Sequence, residues 1–529
     1  MFLPLLLIFF IIFYQYMSEA AVNVIKEKIR NRLMEAWQPA VVRKTASLDY
    51  CHLERHETQE LITRIGNDPA QWVWGGFNLL LYTLEMLLRV GLILFILALQ
   101  VWWSALLAAL IFIPFLFAAV RSGKNIYETS REAEKHRRRA QYFQEVLTGR
   151  ENVEERALFF YTEELNRRWY EKYRTAYRIH FQAESRRILK MKSGSLITVL
   201  ISALVVSTLF APLRTGTVSA GMFIGLATAV FGLVQDMSWE LAYIVSELSR
   251  YGEYMQDLTA FSHLSEAEGA LELPAERTGE VSSVEFREVS FAYPGTDRRI
   301  LDRMSFRLEA GKQYAFVGAN GAGKTTVTKL LTGLYDSYSG EILVNGKNIR
   351  DFSPAERKAM FSVVYQDFAR YEISMRDCIG IGNVRGTPAE ELDRAVRLAG
   401  LNGLAEQLPE GLDTPLGRTS ANGVDISGGQ WQRIAIARTL VSRASFHILD
   451  EPTAALDPAA ESAVYEMYRR ISEGKSVIYI THRLGAARLA DEILVIAGGR
   501  GKEAGSHESL IGRGGLYAEM YESQKAWYE

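Results

Sequence analysis

The sequence predicts two domains of different fold classes, an α-helical membrane domain followed by an α/β domain. The first half holds several long apolar stretches with few charges, each near the roughly 20 residues that a membrane-spanning helix needs. The second half alternates short β-rich runs with helical patterns, which is typical of a sheet covered by helices. A length of 529 residues is enough for two or three domains. We predict a membrane domain over 1–261, a linker over 262–283 and an α/β domain over 284–529.

Composition and charge exclude several classes of function. The formal net charge is −2, so nothing indicates a nucleic-acid partner. The two cysteines, Cys51 and Cys378, lie in unrelated contexts without metal-ligand spacing, which argues against a disulfide framework or a zinc site. We therefore expect neither nucleic-acid binding nor redox chemistry.

Five stretches are predicted to span a membrane. Short turns, near Gln100 and at 214–217, separate the members of two pairs, which are predicted to form tight hairpins. The five stretches are Phe2–Met17, Gly76–Leu99, Val101–Val120, Gly194–Leu213 and Val218–Val234. A buried helix of a soluble protein would explain any one of them, but five with two hairpins favour a membrane domain. The first stretch has no basic residue before its apolar run, so we interpret it as a membrane helix and not a signal peptide.

The distribution of basic residues predicts the orientation of these spans. The stretches 23–72 and 121–192 are rich in Lys and Arg, whereas the two hairpin turns are short and nearly uncharged. The positive-inside bias therefore places both long stretches and the second half of the chain in the cytoplasm. We expect a multi-pass protein of the plasma (cell inner) membrane, and the compact size favours a bacterial one. Five spans would leave Met1 outside the cell, which predicts that a further helix precedes Met1 and is missing from this sequence.

Two charged residues, Glu85 and Arg89, lie within a predicted span. They are four residues apart, which places them on one face of a helix in the order that favours an ion pair. Charges at such depth face a protein interior or a water-filled cavity, or else they lie at the cytoplasmic end near the headgroups. The sequence leaves both positions open.

A glycine-rich motif in the second half predicts a polyphosphate site. Residues 318–326 read GANGAGKTT and lie between a predicted strand, Gln313–Val317, and a predicted helix that begins within Val327–Leu334. Glycines let backbone N–H groups curl around a polyphosphate, and the helix N-terminus adds its positive end. Lys324 is expected to reach the β- and γ-phosphates, and the Thr325 hydroxyl to ligate Mg²⁺. The residues assigned to nucleotide binding here are Gly318, Asn320, Gly321, Ala322, Gly323, Lys324, Thr325 and Thr326.

A second apolar run, Phe446–Leu449, ends in two carboxylates. Asp450 is expected to hold the Mg²⁺ coordination shell, and Glu451 is placed to polarise an attacking water as general base. Together with the glycine-rich motif, these residues predict hydrolysis of a nucleoside triphosphate.

In these motifs and their order, the second half resembles the ATPase domain of ATP-binding cassette (ABC) transporters. The segment 426–430, ISGGQ, is similar to the family signature, with Ile426 where Leu is usual. The resemblance implies a P-loop NTPase fold with a helical subdomain, ATP as the nucleotide and ATP hydrolysis as the activity. It implies that Gln366 senses Mg²⁺ and water, that His482 contacts the γ-phosphate and that Tyr293 stacks on adenine. It further implies ATP contacts across a subunit boundary by Ser427, Gly428, Gly429, Gln430 and Asp457.

The signature also predicts a partner chain. A Ser-Gly-Gly turn at a helix start is a second anion site without a lysine, which would be redundant beside one P-loop within a monomer. In ABC transporters, two ATPase domains pack head to tail, and each ATP lies between one P-loop and the other subunit's signature. The resemblance therefore implies a half-transporter that pairs with a second chain. Because neither Glu451 nor the signature is degenerate, a homodimer is favoured, and a heterodimer stays open.

The order of the two domains resembles exporters that have six helices per subunit and long cytoplasmic extensions. It implies short coupling helices that rest on the ATPase domains, around Ser47–Glu54 and Glu145–Arg156. Such exporters usually carry a Gly-Glu pair before the signature, whereas here Arg418 follows Gly417. The function implied is ATP-driven export of a substrate by alternating access, within membrane lipid. The alternatives are a membrane-tethered ATPase with a regulatory or mechanical role and an importer, and the sequence does not identify the transported substrate.

Overall fold

The chain forms two compact units within the part that the structure describes. The computed structural model describes residues 2–66, 68–106, 136–149, 152–276, 280–450, 469 and 475–525. One unit comprises Met1–Thr45 and Gln59–Leu264, and the other comprises Ala46–Thr58 and Ser265–Glu529. The short segment 46–58 therefore belongs to the same unit as the C-terminal half.

The first unit is helical over almost all of its described residues. Two of its helices, Phe2–Ser47 and Pro69–Gln100, are long and apolar enough to cross a membrane, and Ala203–Arg214 and Ala220–Gly232 are shorter apolar stretches. None of the most apolar window of Phe2–Ser47 is buried within the chain. The helices are Phe2–Ser47, His56–Ile65, Pro69–Gln100, residues 136–148, Val153–Phe159, Thr162–Thr208, Phe210–Arg214 and Ala220–Ser262.

Two apolar clusters hold this unit together. One includes Leu97, Val205 and Leu226, and the other includes Met86 and Leu241. Both clusters join side chains from helices far apart in the sequence, so they define its tertiary packing.

Glu85 and Arg89 form the ion pair that the sequence predicts. The Arg89 Nη2 lies 2.9 Å from the Glu85 Oε1, and both side chains are exposed on the surface of the chain.

The breaks between helices follow local backbone chemistry. Pro69–Gln100 ends at the predicted turn, where Val101 leaves the helical conformation and donates its N–H to the Leu97 carbonyl. The predicted span Val101–Val120 lies outside the described residues from position 107 onward. The range Glu145–Arg156, around which a short coupling helix is expected, includes the end of the helix over 136–148, which stops before Gly149, and the start of the short helix Val153–Phe159. Glycine is among the weakest helix formers, which accounts for a break at this position.

The second unit contains two sheets. A four-stranded sheet has the order β2-β1-β4-β5, and a six-stranded sheet has the order β10-β9-β3-β8-β7-β6. The strands are β1 Ser283–Ala292, β2 Arg299–Glu309, β3 Gln313–Val317, β4 Ser339–Val344, β5 Lys347–Asn348, β6 Phe361–Val364, β7 Phe446–Asp450, β8 Ser476–Ile480, β9 Glu492–Ala497 and β10 Arg500–Gly505.

The sequence predicts two strands, Val284–Phe286 and Val289–Phe291, where the structure has only β1. The chain stays paired with β2 throughout and absorbs the mismatch through register shifts on either side of Val289. Glu288 adopts a φ of 47°, which is the kind of local distortion that a β-bulge requires. The two predicted strands are therefore a single bulged strand.

Helices cover the six-stranded sheet and connect its strands. They are Lys324–Leu331, Pro354–Met360, Met375–Gly380, Ala389–Leu398, Asn402–Gln407, Gly428–Leu440, Leu484–Ala487, His507–Arg513 and Leu516–Lys525. Alternate residues of β3 enter different apolar clusters: Ala315 and Val317 lie in one, and Tyr314 and Phe316 in the other. This alternation buries both faces of β3, and the face with Tyr314 and Phe316 packs against residues of the four-stranded sheet.

Candidate nucleotide-binding site

The glycine-rich loop follows β3 and leads directly into a helix, as the sequence predicts. That helix is Lys324–Leu331, so it begins three residues before the predicted Val327. A Cβ at Gly318 would lie 2.2 Å from the Ile496 carbonyl oxygen, and one at Gly323 would lie 2.6 Å from the Leu301 Cδ2. Gly323 also has a φ of 105°, which side chains other than glycine rarely adopt. The loop therefore needs glycine at both positions to keep its backbone close to its neighbours.

Lys324 is folded into this loop. Its side chain is buried, and its Nζ donates to the Gly318 carbonyl at 2.9 Å and to the Ala319 carbonyl at 3.2 Å. An ammonium group has three donors, so the Lys324 side chain can bond to both of these loop carbonyls at once and thereby stabilise the loop. The adjacent Thr325 and the loop residue Asn320 are exposed. Because the loop surface is exposed and its N–H groups lie at a helix start, the residues present fit a polyphosphate.

Four neighbouring parallel strands bring the other predicted residues to the same edge of the sheet. β3 pairs in parallel with β8, β8 with β7, and β7 with β6. The glycine-rich loop follows β3, His482 follows β8, Asp450 ends β7 and Gln366 follows β6. Neighbouring strands are about 4.8 Å apart, so the topology places these residues in a row beside the loop. Glu451 and Asp457 lie outside the described residues.

The donors at this edge suit Mg²⁺. Thr325, Gln366 and Asp450 each offer oxygen ligands, and Mg²⁺ binds oxygen donors while keeping several waters. Asp450 is buried at the end of β7, whereas Gln366 and Thr325 are exposed. A buried carboxylate beside two exposed oxygen donors is compatible with a cation that is shared between the protein and a bound phosphate.

Tyr293 is tied to the helix that follows the loop. Its hydroxyl lies 3.0 Å from the Thr326 Oγ1, and its ring meets the ring of Tyr335 edge to face at 5.5 Å. The Lys329 Nζ lies 5.3 Å from the centroid of the same ring. Tyr293 is half-buried, so part of its ring remains accessible to a planar ligand.

The signature residues begin a helix, Gly428–Leu440. The Ser427 hydroxyl accepts from the Gln430 N–H at 3.3 Å, and the Gln430 Oε1 accepts from the Ser427 N–H at 2.8 Å. This reciprocal arrangement is a capping box. The hydrogen bonds that the described part of the chain gives Ser427 stay within this helix, and Ser427 and Gly428 are exposed. The structure thus brings together the P-loop, Gln366, Asp450 and His482, and presents the signature as a separate exposed turn.

Arg418, which departs from the exporter pattern, forms an ion pair with a nearby residue. The Arg418 Nη2 lies 2.9 Å from the Asp425 Oδ2, and the Glu372 carboxylate accepts from the backbone N–H groups of Arg418 and Thr419 at 3.1 and 2.8 Å. These contacts hold the loop before the signature against the segment that follows β6.

Two further groups of residues surround this site without a motif in the sequence. Lys329 and Tyr335 contact the ring of Tyr293, and Glu54 contacts both of them. Gln524 contacts the backbone on both sides of Arg483. Helical spacing gives a signal for Lys329, since it lies one turn after Thr325. The others come from distant parts of the chain, and no local pattern marks them.

Taken together, the fold and the site define a P-loop nucleotide-binding domain on the same chain as a set of long apolar helices. The family model described as ABC transporter matches residues 301–454. Over this region the chain is similar to ABC transporters, and the order of its helical and nucleotide-binding parts is similar to that of solved and curated exporters. The predicted fold class is therefore confirmed.

Individual relatives agree with this assignment. The subtilin transport ATP-binding protein SpaT of Bacillus subtilis is 34% identical over 328 residues, which are 61% of this chain and 53% of that protein. An ATP-dependent lipid A-core flippase of Pseudomonas aeruginosa is 35% identical over 306 residues, which are 58% of this chain and 50% of the flippase. The chain thus spans about half the length of both relatives. The flippase of Aromatoleum aromaticum is 29% identical over 89% of this chain and 77% of its own length.

A solved structure matches the fold over most of its length. The structure of a bacterial Atm1-family ABC exporter with ATP bound has a TM-score of 0.79 and 26% sequence identity. It covers 96% of this chain and 88% of the exporter chain, so the likeness includes the helical unit as well as the nucleotide-binding one.

Proposed function

We propose that this chain is one half of an exporter that couples ATP hydrolysis to movement of a substrate across a membrane by alternating access. The observation that carries this proposal is the row of residues at the ends of four parallel strands, beside the P-loop. Asp450 and Thr325 would hold Mg²⁺, and Lys324 would turn from the loop carbonyls towards the phosphates. Mg²⁺ would neutralise charge on the transferred phosphoryl group. Glu451 would act as general base, and His482 and Gln366 would orient the γ-phosphate and the water.

We also propose that two such chains form the working unit, in a homodimer. Ser427 and Gly428 are exposed at the start of a helix, where N–H groups attract anions. A dimer would give each P-loop the signature of the other chain, with Asp457 near the boundary. In this arrangement the exposed signature turn becomes part of an ATP site.

The domain boundaries stay those that the sequence predicts: a membrane domain over 1–261, a linker over 262–283 and an ATP-binding domain over 284–529. The membrane domain would lie in a bacterial plasma membrane with the ATP-binding domain in the cytoplasm. Its relatives' names refer to lipid A-core and to subtilin, so amphiphilic lipids and peptides are the substrate classes to test first.

The test uses the purified full chain in proteoliposomes, compared with Glu451→Gln. The variant should bind ATP with unchanged affinity and should lose about 10²–10⁴-fold in turnover, because it keeps the side-chain shape but cannot accept a proton. ATP-dependent accumulation of a labelled lipid or peptide inside inverted vesicles would support export. ATP hydrolysis without transport of any labelled lipid or peptide would favour a membrane-tethered ATPase. Turnover by Glu451→Gln at the rate of the unaltered protein would contradict the assignment of Glu451 as general base.

A further inference from the structure

The segment 46–58 is built into the nucleotide-binding unit, although it lies in the sequence between two long helices of the first unit. Its backbone bonds to the start of the linker: the Ala267 N–H donates to the Ser47 carbonyl at 2.8 Å, and the Asp49 N–H donates to the Ser265 carbonyl at 3.1 Å. Tyr50 packs against the apolar cluster that contains Phe291. The segment is therefore held at both its backbone and its side chains.

Glu54, at the end of the short helix Tyr50–Glu54, makes two side-chain polar contacts with the nucleotide-binding unit. Its Oε1 lies 2.7 Å from the Lys329 Nζ, and its Oε2 accepts a hydrogen bond from the buried Tyr335 hydroxyl. Burial acts to raise the pKa of Glu54, but the hydrogen bonds from Lys329 and Tyr335 outweigh it and lower the pKa. The carboxylate is therefore ionised near neutral pH, and it provides the counter-charge for a lysine that is mostly buried.

The two partners of Glu54 are also the two neighbours of Tyr293. The Lys329 Nζ lies 5.1 Å from the Tyr50 ring centroid and 5.3 Å from that of Tyr293. The Tyr335 ring meets each of these two rings edge to face at 5.5 Å. Two independent contacts, one cationic and one aromatic, thus connect the segment 46–58 to the aromatic ring of the nucleotide site.

We propose that Glu54 and Tyr50 are positioning residues for Tyr293, so that the segment 46–58 responds to the nucleobase and not to the phosphates. This inference rests on the proposed function, in which Tyr293 stacks on adenine. A base that stacks on Tyr293 fixes the ring against Lys329 and Tyr335, and these in turn hold Glu54. Because coupling between two sites is reciprocal, a segment that supports Tyr293 strengthens binding of the base, and the bound base strengthens docking of the segment.

The experiment compares ATP with inorganic tripolyphosphate, which has the phosphates but no base. Full-length Glu54→Gln, in detergent with Mg²⁺, should bind ATP about fivefold or more weakly, while its affinity for tripolyphosphate relative to the unaltered protein should stay within about twofold. The tripolyphosphate comparison corrects for the altered charge near the phosphates. Glu57→Gln is the matched control, because Glu57 lies in the same segment and is exposed. It should leave both affinities unchanged.

A second measurement follows the reverse direction of the coupling. Hydrogen exchange of the amides in 50–58 should slow when ATP binds and should not change when tripolyphosphate binds. Tyr50→Leu, which keeps the ion pair, should weaken ATP binding in the same selective way and serves if Glu54→Gln does not fold. If the variants bind ATP and tripolyphosphate equally more weakly, or if both ligands slow the exchange of 50–58 equally, this inference is overturned and the proposed function is not. Failure of the unaltered protein to bind either ligand would instead overturn the proposed function.

Discussion

The side-chain amide of Gln524 bonds to the backbone on both sides of Arg483. Its Nε2 donates to the His482 carbonyl, and its Oε1 accepts from the Leu484 N–H at 2.9 Å. The residue lies near the end of the C-terminal helix Leu516–Lys525, so this helix fixes the loop that carries His482. Gln524, which lies 42 positions after His482, thereby holds the backbone of this residue, which is predicted to contact the γ-phosphate.

Gln524→Ala should lower the rate of ATP turnover about tenfold and change ATP affinity little. The reason is that the variant loosens the backbone of His482, and small displacements from the productive geometry affect the transition state more than the bound nucleotide. Steady-state hydrolysis by the reconstituted full chain gives kcat and KM separately.

Two further variants at this helix make the test specific. Gln524→Glu should be at least as slow, because a carboxylate cannot donate to the His482 carbonyl. Ser523→Ala should behave as the unaltered protein, because Ser523 is exposed on the same turn. If Gln524→Ala raises KM and leaves kcat unchanged, Gln524 supports nucleotide binding and not the turnover step.

Gly318→Ala should abolish measurable nucleotide binding and destabilise the nucleotide-binding unit by roughly 1–3 kcal/mol. The added Cβ would lie 2.2 Å from the Ile496 carbonyl oxygen, so either the loop or β9 has to move. Thermal unfolding and equilibrium binding of ATP measure the two effects.

The control for this substitution is Gly512→Ala. Gly512 lies in the helix His507–Arg513, and a Cβ there would meet nothing within 4 Å. It should leave ATP binding unchanged and stabilise the fold by up to about 1 kcal/mol, because alanine is the better helix former. Nucleotide binding retained by Gly318→Ala would contradict the prediction, because it would show that the loop and β9 separate enough to accept the added Cβ without loss of the site.

Removal of Mg²⁺ with EDTA should abolish hydrolysis, and Asp450→Asn should raise the Mg²⁺ concentration that gives half-maximal turnover by about tenfold or more. The neutral amide keeps the size of the side chain and loses the negative charge that a divalent cation needs. Asp351→Asn removes the same charge at an exposed position of the same unit and should leave this concentration unchanged. An identical Mg²⁺ dependence for Asp450→Asn and the unaltered protein would place the cation elsewhere.

The elements that the sequence predicts correctly are those marked by a local pattern of residue types. β3 has the predicted bounds, because short β-rich runs next to turn residues mark buried strands well. The bulge in β1 was not predictable, because it depends on pairing with β2 and on the positive φ of Glu288.

For the site, the apolar runs predict strands before the P-loop and before Asp450, and the structure has the P-loop after β3 and Asp450 at the end of β7. The contacts of Glu54 with Lys329 span 275 positions, and those of Gln524 with His482 span 42. Such pairs arise from how the chain folds back on itself, so no local pattern encodes them.

His447 is buried in β7, and its Nδ1 has no hydrogen-bond partner within the described residues. Burial, and to a lesser extent the charge of Lys475, lowers its pKa to about 3 from an ordinary value of 6.5. The folded state therefore keeps this imidazole neutral, while the unfolded chain takes up a proton below about pH 6.5. Its contribution to stability is complete above that pH and is lost as the pH falls towards 3, by at most about 1.4 kcal/mol per pH unit.

His447→Leu should remove this acid sensitivity. We expect the unaltered protein to lose about 3 °C more in thermal midpoint than the variant between pH 6.5 and 5.5, given the usual scaling for a unit of this size. Tryptophan fluorescence of the full chain in detergent measures both midpoints, and the exposed His180→Gln should show the same pH dependence as the unaltered protein. An equal loss in His447→Leu would mean that other groups cause the acid sensitivity, because leucine at this position cannot bind a proton.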